Sequence, residues 1–349
     1  MFSFAPRILA LLACTTWLLV ACSRPQEYNE KIYVFGTLVD VTLWDVSEQK
    51  AQQSFQELNE RFQQMHHDWH AWEQGPLTDL NQAIAEGRSL KVDPSLIPLL
   101  EKSQEACERS GCLFNPAIGK LIAEWGFHSS ERPVGPLPSR EKIAALVKQN
   151  PSMLDITIKD GVVSSSNRAV DIDLGGIAKG YAVGLGLQWL RDAGVHNAII
   201  NAGGGLGVIG SHGDRPWRVG IRHPQGNGVL ASLEVRDGEQ VHTSGNYERF
   251  REEQGVRYAH IIDPRTGWPV EGITSATVIE ADGSIADAAA TAMVVAGVNE
   301  WSRVAKQMGI HYVMLVDEEG TVYMNPRMAM RVQFSNEAPK PRVVLSEEL

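Results

Sequence analysis

The stretch Asp171-Ile-Asp-Leu-Gly-Gly-Ile-Ala-Lys-Gly-Tyr181 decides how the second half of this chain is organised. Gly175 and Gly176 stand where a loop leads into a predicted helix. Without a Cβ in the way, a ligand's oxygens can approach their main-chain N–H groups. Lys179 adds a positive charge one turn into that helix. The stretch therefore predicts an anion site, and the plainer alternative is that the glycines only permit a tight helix start.

A second glycine-rich segment, Asn201-Ala-Gly-Gly-Gly205, follows a short apolar strand predicted from Asn197 to Asn201. It lacks the Gly-x-Gly-x-x-Gly spacing, followed by a helix and a distal acid, that a dinucleotide-binding Rossmann unit requires. The segment indicates a close approach of main chain to ligand and does not favour a Rossmann fold.

The segment Ala286-Asp-Ala-Ala-Ala-Thr-Ala292 carries Asp287 and Thr291 four residues apart, near the start of a predicted helix from Ile285 to Val295. This spacing places the carboxylate and the hydroxyl on one helix face. Together they can hold one face of an oxygen-ligated Mg²⁺ and leave the other positions to phosphate oxygens and water. The alternative is that Asp287 only complements the helix dipole while Thr291 packs.

The segment His260-Ile-Ile-Asp-Pro-Arg-Thr-Gly267 begins inside a strand predicted from Tyr258 to Ile262. Imidazole titrates near neutral pH, so His260 is a candidate general base. A solvent-exposed strand histidine is the commoner case for such a segment taken alone.

Together these segments resemble the ApbE family of flavin transferases, which move FMN from FAD onto a threonine hydroxyl of another protein. The matching segments are Asp173-Leu-Gly-Gly-Ile-Ala-Lys-Gly-Tyr181, Asn201-x-Gly-Gly204, Thr243-Ser-Gly-x-Tyr247, His260-x-Ile-Asp-Pro-x-Thr-Gly267 and Ala286-Asp-Ala-x-x-Thr291. Weaker similarity extends to Phe35-Gly-Thr37, Trp69 to Leu80 with Asn81, and Phe114-Asn-Pro-Ala-Ile-Gly119. The resemblance covers essentially the whole chain after its N-terminal segment.

The resemblance implies roles for individual residues. Asp287, Thr291 and the carbonyl of Gly176 would bind Mg²⁺. His260 would deprotonate the acceptor threonine, and Asp287 is counted with it as a catalytic residue. The residues that would contact FAD are Phe35, Trp72, Phe114, Asn115, Asp173, Lys179 and Ile262. Two positions depart from the family pattern, because Gly205 stands where an acid is frequent and Phe35 where a methionine is frequent.

The reaction implied by the resemblance is a Mg²⁺-dependent phosphoryl-type transfer that releases AMP from FAD and leaves FMN in a phosphoester bond. The implied acceptors are subunits of membrane redox complexes of the sodium-pumping NADH:quinone reductase or Rnf type. Two alternatives use the same site: an FAD diphosphatase that gives FMN and AMP, and a flavin-binding lipoprotein without turnover.

The predicted fold class is α+β, because strands and helices alternate without a regular βαβ period. The resemblance narrows this to mixed, mostly antiparallel sheets with packed helices, in an ApbE-like, T-fold-like, two-lobed single catalytic unit. Predicted helices include Ser47 to His70, Pro94 to Ser110 and Glu300 to Met308, and a hairpin is predicted to turn at Lys159-Asp160-Gly161.

The N-terminus reads as a bacterial lipoprotein signal. An apolar run from Ile8 to Val20 is shorter than the ~20 residues of a membrane-spanning helix, and Leu19-Val-Ala-Cys22 resembles a lipoprotein processing box. We therefore expect a signal peptide at 1–21, a lipid on Cys22, a tether over 22–31 and the flavin transferase domain over 32–349. The domain would face the periplasm from a lipid anchor, and Ser23 slightly favours the outer membrane.

Composition sets further limits. The net charge is −10, and without a Lys/Arg cluster nucleic acid is excluded as a partner. Of the four cysteines, Cys107 and Cys112 remain in the mature domain, where a local disulfide is favoured over two separate buried thiols. His66 and His70 lie one helical turn apart, but without a His-Glu-x-x-His pattern a zinc site is disfavoured. Thr274-Ser-Ala-Thr277 faintly resembles a flavin acceptor motif and is interpreted as a strand.

Overall fold

The structure is a computed structural model that describes residues 26–129, 131, 133–224, 226, 228–336 and 339–349. The predicted signal peptide and the lipidation site at Cys22 lie outside these residues. Within them, every helix is too short or too polar to cross a membrane.

Strands outnumber helices in the described part of the chain. In chain order, the strands are β1 (Glu27–Val34), β2 (Thr37–Trp44), β3 (Leu90–Lys91), β4 (Ile156–Lys159), β5 (Val162–Ser165), β6 (Ala198–Ala202), β7 (Gly205–Ile209), β8 (Trp217–Arg222), β9 (Val229–Val235), β10 (Gln240–Gly245), β11 (Phe250–Glu253), β12 (Val256–Ala259), β13 (Ile273–Glu280), β14 (Val313–Asp317), β15 (Val322–Met324), β16 (Gln333–Phe334) and β17 (Val343–Leu345). The helices are α1 (Glu48–Trp69), α2 (Pro76–Glu86), α3 (Leu96–Ser110), α4 (Gly119–Glu124), α5 (Arg140–Lys148), α6 (Ala178–Asp192), α7 (Gly283–Met308) and α8 (Pro326–Ala329).

A nine-stranded sheet organises the fold, in the order β1-β2-β6-β7-β10-β13-β14-β15-β17. All neighbours in it are antiparallel except β15 and β17. Strands β10 and β13 lie at its centre, and β13 is buried along nearly its whole length. Small sheets of β8, β9 and β16, of β3, β4 and β5, and of β11 with β12 complete the strands.

Helices α6 and α7 cover one face of the sheet, with α1 and α3 packed around them. Helix α7 begins at Asp282, whose side chain accepts hydrogen bonds from the N–H groups of Ser284 and Ile285. Its first part is rich in alanine and buried on nearly all sides, as expected for an inner helix. At Gly297 the backbone takes φ 66°, which interrupts the helix where the sequence predicts a helix end.

The opposite face of the sheet packs against β8 and β9. This second apolar cluster includes Trp217, Leu233, Val241, Ile279 and Met314. A third, smaller cluster around Trp125 and Phe127 joins α4 and α5 to the segment that carries Ile262.

The α+β class with mostly antiparallel sheets is confirmed, and the boundaries of some elements differ from the predictions. Strand β1 starts at Glu27, so the last five residues of the predicted 22–31 tether belong to the folded domain. The strand predicted from Tyr258 to Ile262 ends at Ala259, because Ile262 makes only an isolated bridge to Pro269. The hairpin turn at Asp160 and Gly161 is confirmed, with φ 51° and 77° at the two residues.

Candidate active site

A cavity of about 1060 Å³ lies beside α6 and α7 and is also lined by residues of β8 and β10. All eleven residues to which the sequence assigns a role in catalysis, metal binding or FAD binding line it. They are Phe35, Trp72, Phe114, Asn115, Asp173, Gly176, Lys179, His260, Ile262, Asp287 and Thr291. The geometry brings these residues together, and their individual roles stay predictions.

The glycines before and within α6 allow main chain to pack closely at the cavity floor. A Cβ on Gly176 would lie 3.0 Å from the Phe114 ring and 3.5 Å from Thr291 Oγ1. A Cβ on Gly180 would lie 2.0 Å from the carbonyl oxygen of Gly283, at the start of α7. The glycine-rich stretch therefore sets the close contact between α6 and α7.

The predicted metal ligands Asp287 and Thr291 lie on adjacent turns of α7, on the face toward the cavity. Asp287 is buried, and its Oδ2 accepts a hydrogen bond of 3.0 Å from the N–H of Gly180. Thr291 Oγ1 lies 3.0 Å from Ser244 Oγ and also donates to the carbonyl of Asp287 at 3.4 Å. A carboxylate and two hydroxyls thus lie together on one side of the cavity.

Strand β10 runs alongside the first turns of α7, and the spacing of its side chains along the strand matches the spacing of side chains on the facing side of the helix. Alternate residues of a strand are ~6.7 Å apart, and residues four apart on a helix are ~6 Å apart. His242 therefore faces Asp287 while Ser244 faces Thr291. One polar face of the strand therefore lies against the helix face that carries the predicted metal ligands.

His242 is the principal residue of the site that the sequence interpretation missed. It is 1% exposed, and its Nδ1 lies 3.8 Å from Asp287 Oδ1. That distance lies within ion-pair range but is too long for a hydrogen bond. A Cβ on Gly205, its cross-strand neighbour, would lie 2.4 Å from His242 Nδ1. The glycine that departs from the family pattern thus leaves the space that the imidazole fills.

The Asp287 carboxyl is ionised at neutral pH. Burial alone would raise its pKa, but His242, Lys179 and the Gly180 N–H together hold the pKa below its usual range. Lys179 also donates to the carbonyl of Gly175 at 3.3 Å. A charged carboxylate and a lysine therefore line the same wall.

One wall of the cavity is aromatic and includes two of the residues predicted to flank FAD. Phe35 stacks on Trp69 with ring centroids 6.5 Å apart and an interplanar angle of 10°. Trp72 donates from its indole N–H to Asp173 Oδ2 at 3.2 Å, and Asp173 Oδ1 accepts from the N–H of Gly175. Burial raises the pKa of Asp173. Asp173 therefore links the aromatic wall to the glycine-rich loop.

Phe114 and Asn115 also line the cavity. They come just after the Cys107–Cys112 disulfide, the arrangement that the sequence favoured. The Asn115 side chain donates to the carbonyl of Pro151 and accepts from the N–H of Ala117. Both of its polar atoms are engaged by the protein, so Asn115 shapes this wall through the main chain.

His260 lies just beyond β12, with Nδ1 3.1 Å from the carbonyl oxygen of Arg249. A carbonyl only accepts, so Nδ1 carries the hydrogen and Nε2 is the basic nitrogen. Burial, followed by the positive charge of Arg249, lowers the pKa of His260 to about 4. The imidazole is thus neutral at physiological pH, as a general base must be.

The cavity is also lined by charged side chains to which the sequence assigned no role. Arg249 lies over the Trp72 ring at 5.6 Å, and Arg222 lies over the Tyr247 ring at the same distance. Glu248 faces the same space, and burial raises its pKa. Glu248 and Arg249 directly follow the Thr243-Ser-Gly-x-Tyr247 motif. Their position next to this motif is the feature of the sequence that could have indicated them.

Two other sequence features have structural explanations. His70 Nδ1 accepts hydrogen bonds from the N–H groups of Trp72 and Glu73, so this nitrogen caps main chain. Thr274 and Thr277 are buried within β13, where Thr274 bonds the carbonyl of Asp317. Over the described ranges, no cluster of three or more His, Cys, Asp or Glu side chains has a metal-binding arrangement.

Comparison with known proteins identifies the family. The family model described as ApbE family matches residues 35–314. A FAD:protein FMN transferase of Rhodobacter capsulatus is 45% identical over 88% of this chain, which spans 58% of that relative's length. A FAD:protein FMN transferase of Treponema pallidum is 34% identical over 79% of this chain and 80% of its own. The crystal structure of an ApbE protein from Thermotoga maritima superposes with a TM-score of 0.80 at 29% identity, over 88% of this chain and 99% of its own. This chain belongs to the ApbE family.

Proposed function

We propose that this protein is a FAD:protein FMN transferase that moves FMN from FAD to a threonine hydroxyl of an acceptor protein, with Mg²⁺, and releases AMP. One observation carries the proposal: an oxygen donor set, a lysine and a neutral histidine line the same large cavity. Relatives that bear this activity's name support it.

The donor set fits Mg²⁺. Asp287 supplies an ionised, buried carboxylate, Thr291 a hydroxyl on the next turn, and Gly176 a main-chain carbonyl on the facing loop. All three are hard oxygen ligands, which Mg²⁺ prefers, and they leave positions for phosphate oxygens and water. Bound there, Mg²⁺ would neutralise charge on the diphosphate and polarise its phosphoryl oxygens.

The protein's own residues account for orientation and proton transfer. Lys179, on the wall that carries Asp287, adds a positive charge for a diphosphate. The aromatic wall of Phe35 and Trp72 offers faces for a flavin or adenine ring. His260 Nε2 accepts the proton of the threonine hydroxyl. The new bond joins the threonine oxygen to the phosphorus of the FMN moiety, and the bond between the two phosphoryl groups breaks, with AMP as leaving group.

The test incubates the protein with FAD, Mg²⁺ and a flavin-accepting subunit of a sodium-pumping NADH:quinone reductase as the candidate acceptor. We expect covalent flavin fluorescence on the acceptor in denaturing gels, lost when the acceptor's threonine is replaced by alanine. Asp287→Asn should abolish the signal, because it removes the charge at nearly constant volume. Asp192→Asn, an exposed carboxylate at the end of α6, is the matched control and should keep it.

The two alternatives give distinct outcomes in the same assay. Steady AMP release without any acceptor would identify an FAD diphosphatase. Tight FAD binding without AMP or covalent product would identify a flavin-binding protein and overturn the proposal.

We also propose that the protein is held at the periplasmic face of a bacterial membrane by a lipid on Cys22, with the outer membrane slightly favoured. The support is the sequence pattern of the apolar run, the Leu19-Val-Ala-Cys22 box and Ser23. Cys22→Ser should move the protein from the membrane fraction to the soluble fraction. Retention of this variant in the membrane fraction would contradict the anchor.

A further inference from the structure

His242 contributes a buried imidazole that the reaction described above does not use. It lies on β10 at the centre of the nine-stranded sheet and is 1% exposed. Its Nδ1 has no hydrogen-bond partner in the described part of the chain, and the nearest carboxylate oxygen is Asp287 Oδ1 at 3.8 Å. Buried polar nitrogens without a partner are rare, so this one requires an explanation.

The backbone around His242 is built to admit the ring. A Cβ on Gly205 would lie 2.4 Å from Nδ1 and 2.5 Å from Cε1. The neighbouring Gly203 and Gly204 have φ of 61° and 99°, which favour glycine for conformational reasons, whereas Gly205 is not in the left-handed region. At position 205 the three atoms nearest to an added Cβ all belong to the His242 ring, so the imidazole accounts for the demand for glycine.

One oxygen of the Asp287 carboxylate is held by a hydrogen bond, and the other lies opposite the His242 ring. Oδ2 is bound by the Gly180 N–H at 3.0 Å, while Oδ1 faces His242 Nδ1. A side-chain shift of about 1 Å would bring that pair to normal hydrogen-bond length. The other ring nitrogen, Nε2, lies 3.4 Å from Gln240 Oε1, while Gln240 Nε2 donates to the carbonyl of Ala281 at 3.5 Å. Exchanging the amide oxygen and nitrogen gives up that long bond and turns a donor toward the ring. With the amide nitrogen donating to Nε2, Nδ1–H is the group that points at Asp287.

We propose that His242 is a positioning residue for the metal site: it donates from Nδ1 to Asp287 and holds that carboxylate in the orientation that binds the divalent cation. The inference rests on the proposed function, since it assumes that Asp287 is a metal ligand. Groups that hydrogen-bond to metal ligands typically change metal affinity by about 10- to 100-fold when removed.

The experiment measures Mn²⁺ affinity, with Mn²⁺ alone as the probe, by electron paramagnetic resonance on the full chain without turnover. His242→Leu should weaken Mn²⁺ binding about 10- to 100-fold. His242→Asn keeps a nitrogen donor at the position of Nδ1 and should rescue most of the affinity. His242→Gln keeps a donor only near Nε2 and should resemble the leucine variant. Thermal unfolding midpoints show whether each variant is folded, and a purely structural role would not separate Asn from Gln.

Gly205 supplies an independent test in the same assay. Gly205→Ala places a Cβ against the ring and should weaken Mn²⁺ binding in the parent protein. The same change should have little effect when combined with His242→Ala, because no ring remains to be displaced. Equal affinities for the parent, His242→Leu and His242→Gln would overturn the positioning role alone. Failure of Asp287→Asn to weaken Mn²⁺ binding, or absence of binding to the parent, would overturn the metal site and with it this inference.

Discussion

At the scale of single residues, the neutral state of His260 has a direct kinetic consequence. Burial and the nearby Arg249 lower its pKa to about 4, below the usual ~6.5 of histidine. The basic form is therefore present at all pH values well above 4 and is lost only as pH falls through that value.

We expect the acid limb of the pH profile of FMN transfer to lie near pH 4 to 5, with no inflection near 6.5. His260→Gln should reduce the transfer rate by roughly 10²- to 10⁴-fold, because it removes the proton acceptor, and should remove this limb. Single-turnover transfer rates between pH 4 and 8, with FAD binding measured separately, check both points. An acid limb near pH 6.5 that disappears in the glutamine variant would show that the imidazole titrates normally.

Single residues of the candidate site differ in how well the sequence alone predicts them. Asp287 and Thr291 could be paired in advance because a four-residue spacing fixes their common helix face. His242 could not be recognised in this way, because its partner lies 45 positions away and only the register between β10 and α7 brings the two together. The role of a buried histidine in a strand cannot be predicted until the elements that pack against that strand are known.

At the scale of elements, the contact between α6 and α7 places the predicted metal ligand Asp287. Gly180 permits that contact, since a Cβ there would lie 2.0 Å from the Gly283 carbonyl oxygen and 2.8 Å from the Asp287 Cβ. The same residue donates its N–H to Asp287. The packing of α6 on α7 and the orientation of the Asp287 carboxylate therefore both depend on Gly180.

The contacts introduced by Gly180→Ala should cost about 1–3 kcal/mol, because the atoms the new Cβ meets are main chain or close to it and cannot move cheaply. Alanine gains ~1 kcal/mol over glycine in a helix, so we expect a net destabilisation of up to about 2 kcal/mol. Gly184→Ala, one turn further along α6, is the control. Its Cβ would meet only the movable end of Gln240 at 3.0 Å, so we expect no loss. Urea unfolding of the two variants gives the comparison, and equal midpoints would contradict a tight α6–α7 contact.

Elements with strong local signals were predictable, whereas others required tertiary context. The hairpin at Asp160-Gly161 and the break at Gly297 follow from glycine conformations that the sequence shows directly. Strand β11 was missed because its sequence, Phe250-Arg-Glu-Glu253, is charged, and its pairing with β12 makes it a strand. Helix α2 was also missed, since its start at Gly75 has no side-chain cap and relies on the Thr78 hydroxyl.

At the scale of the whole molecule, the sheet order explains how distant motifs form one site. Strands β6, β7, β10 and β13 are consecutive neighbours, and α6 and α7 lie on the same face of the sheet. A common cavity is therefore lined by the glycine segment after β6, by residues of β10, and by Asp287 and Thr291 of α7. Composition and periodicity predict the elements and the α+β class, but this order depends on pairings between distant segments, and the sequence analysis did not predict it.

Because residues of α6, α7 and the sheet all line this cavity, we expect FAD bound there to stabilise the fold as a whole. Binding at a free concentration of 100 times Kd adds about 2.7 kcal/mol, which raises the unfolding midpoint of a domain of this size by roughly 5 °C. Mg²⁺ added with FAD should raise the midpoint further, because the carboxylate and the diphosphate then share the cation. Asp287→Asn should keep the shift caused by FAD and lose the additional shift caused by Mg²⁺, as differential scanning fluorimetry can measure. An equal Mg²⁺ increment in Asp287→Asn and parent would mean that the cation binds elsewhere, and the metal site assigned to α7 would then be wrong.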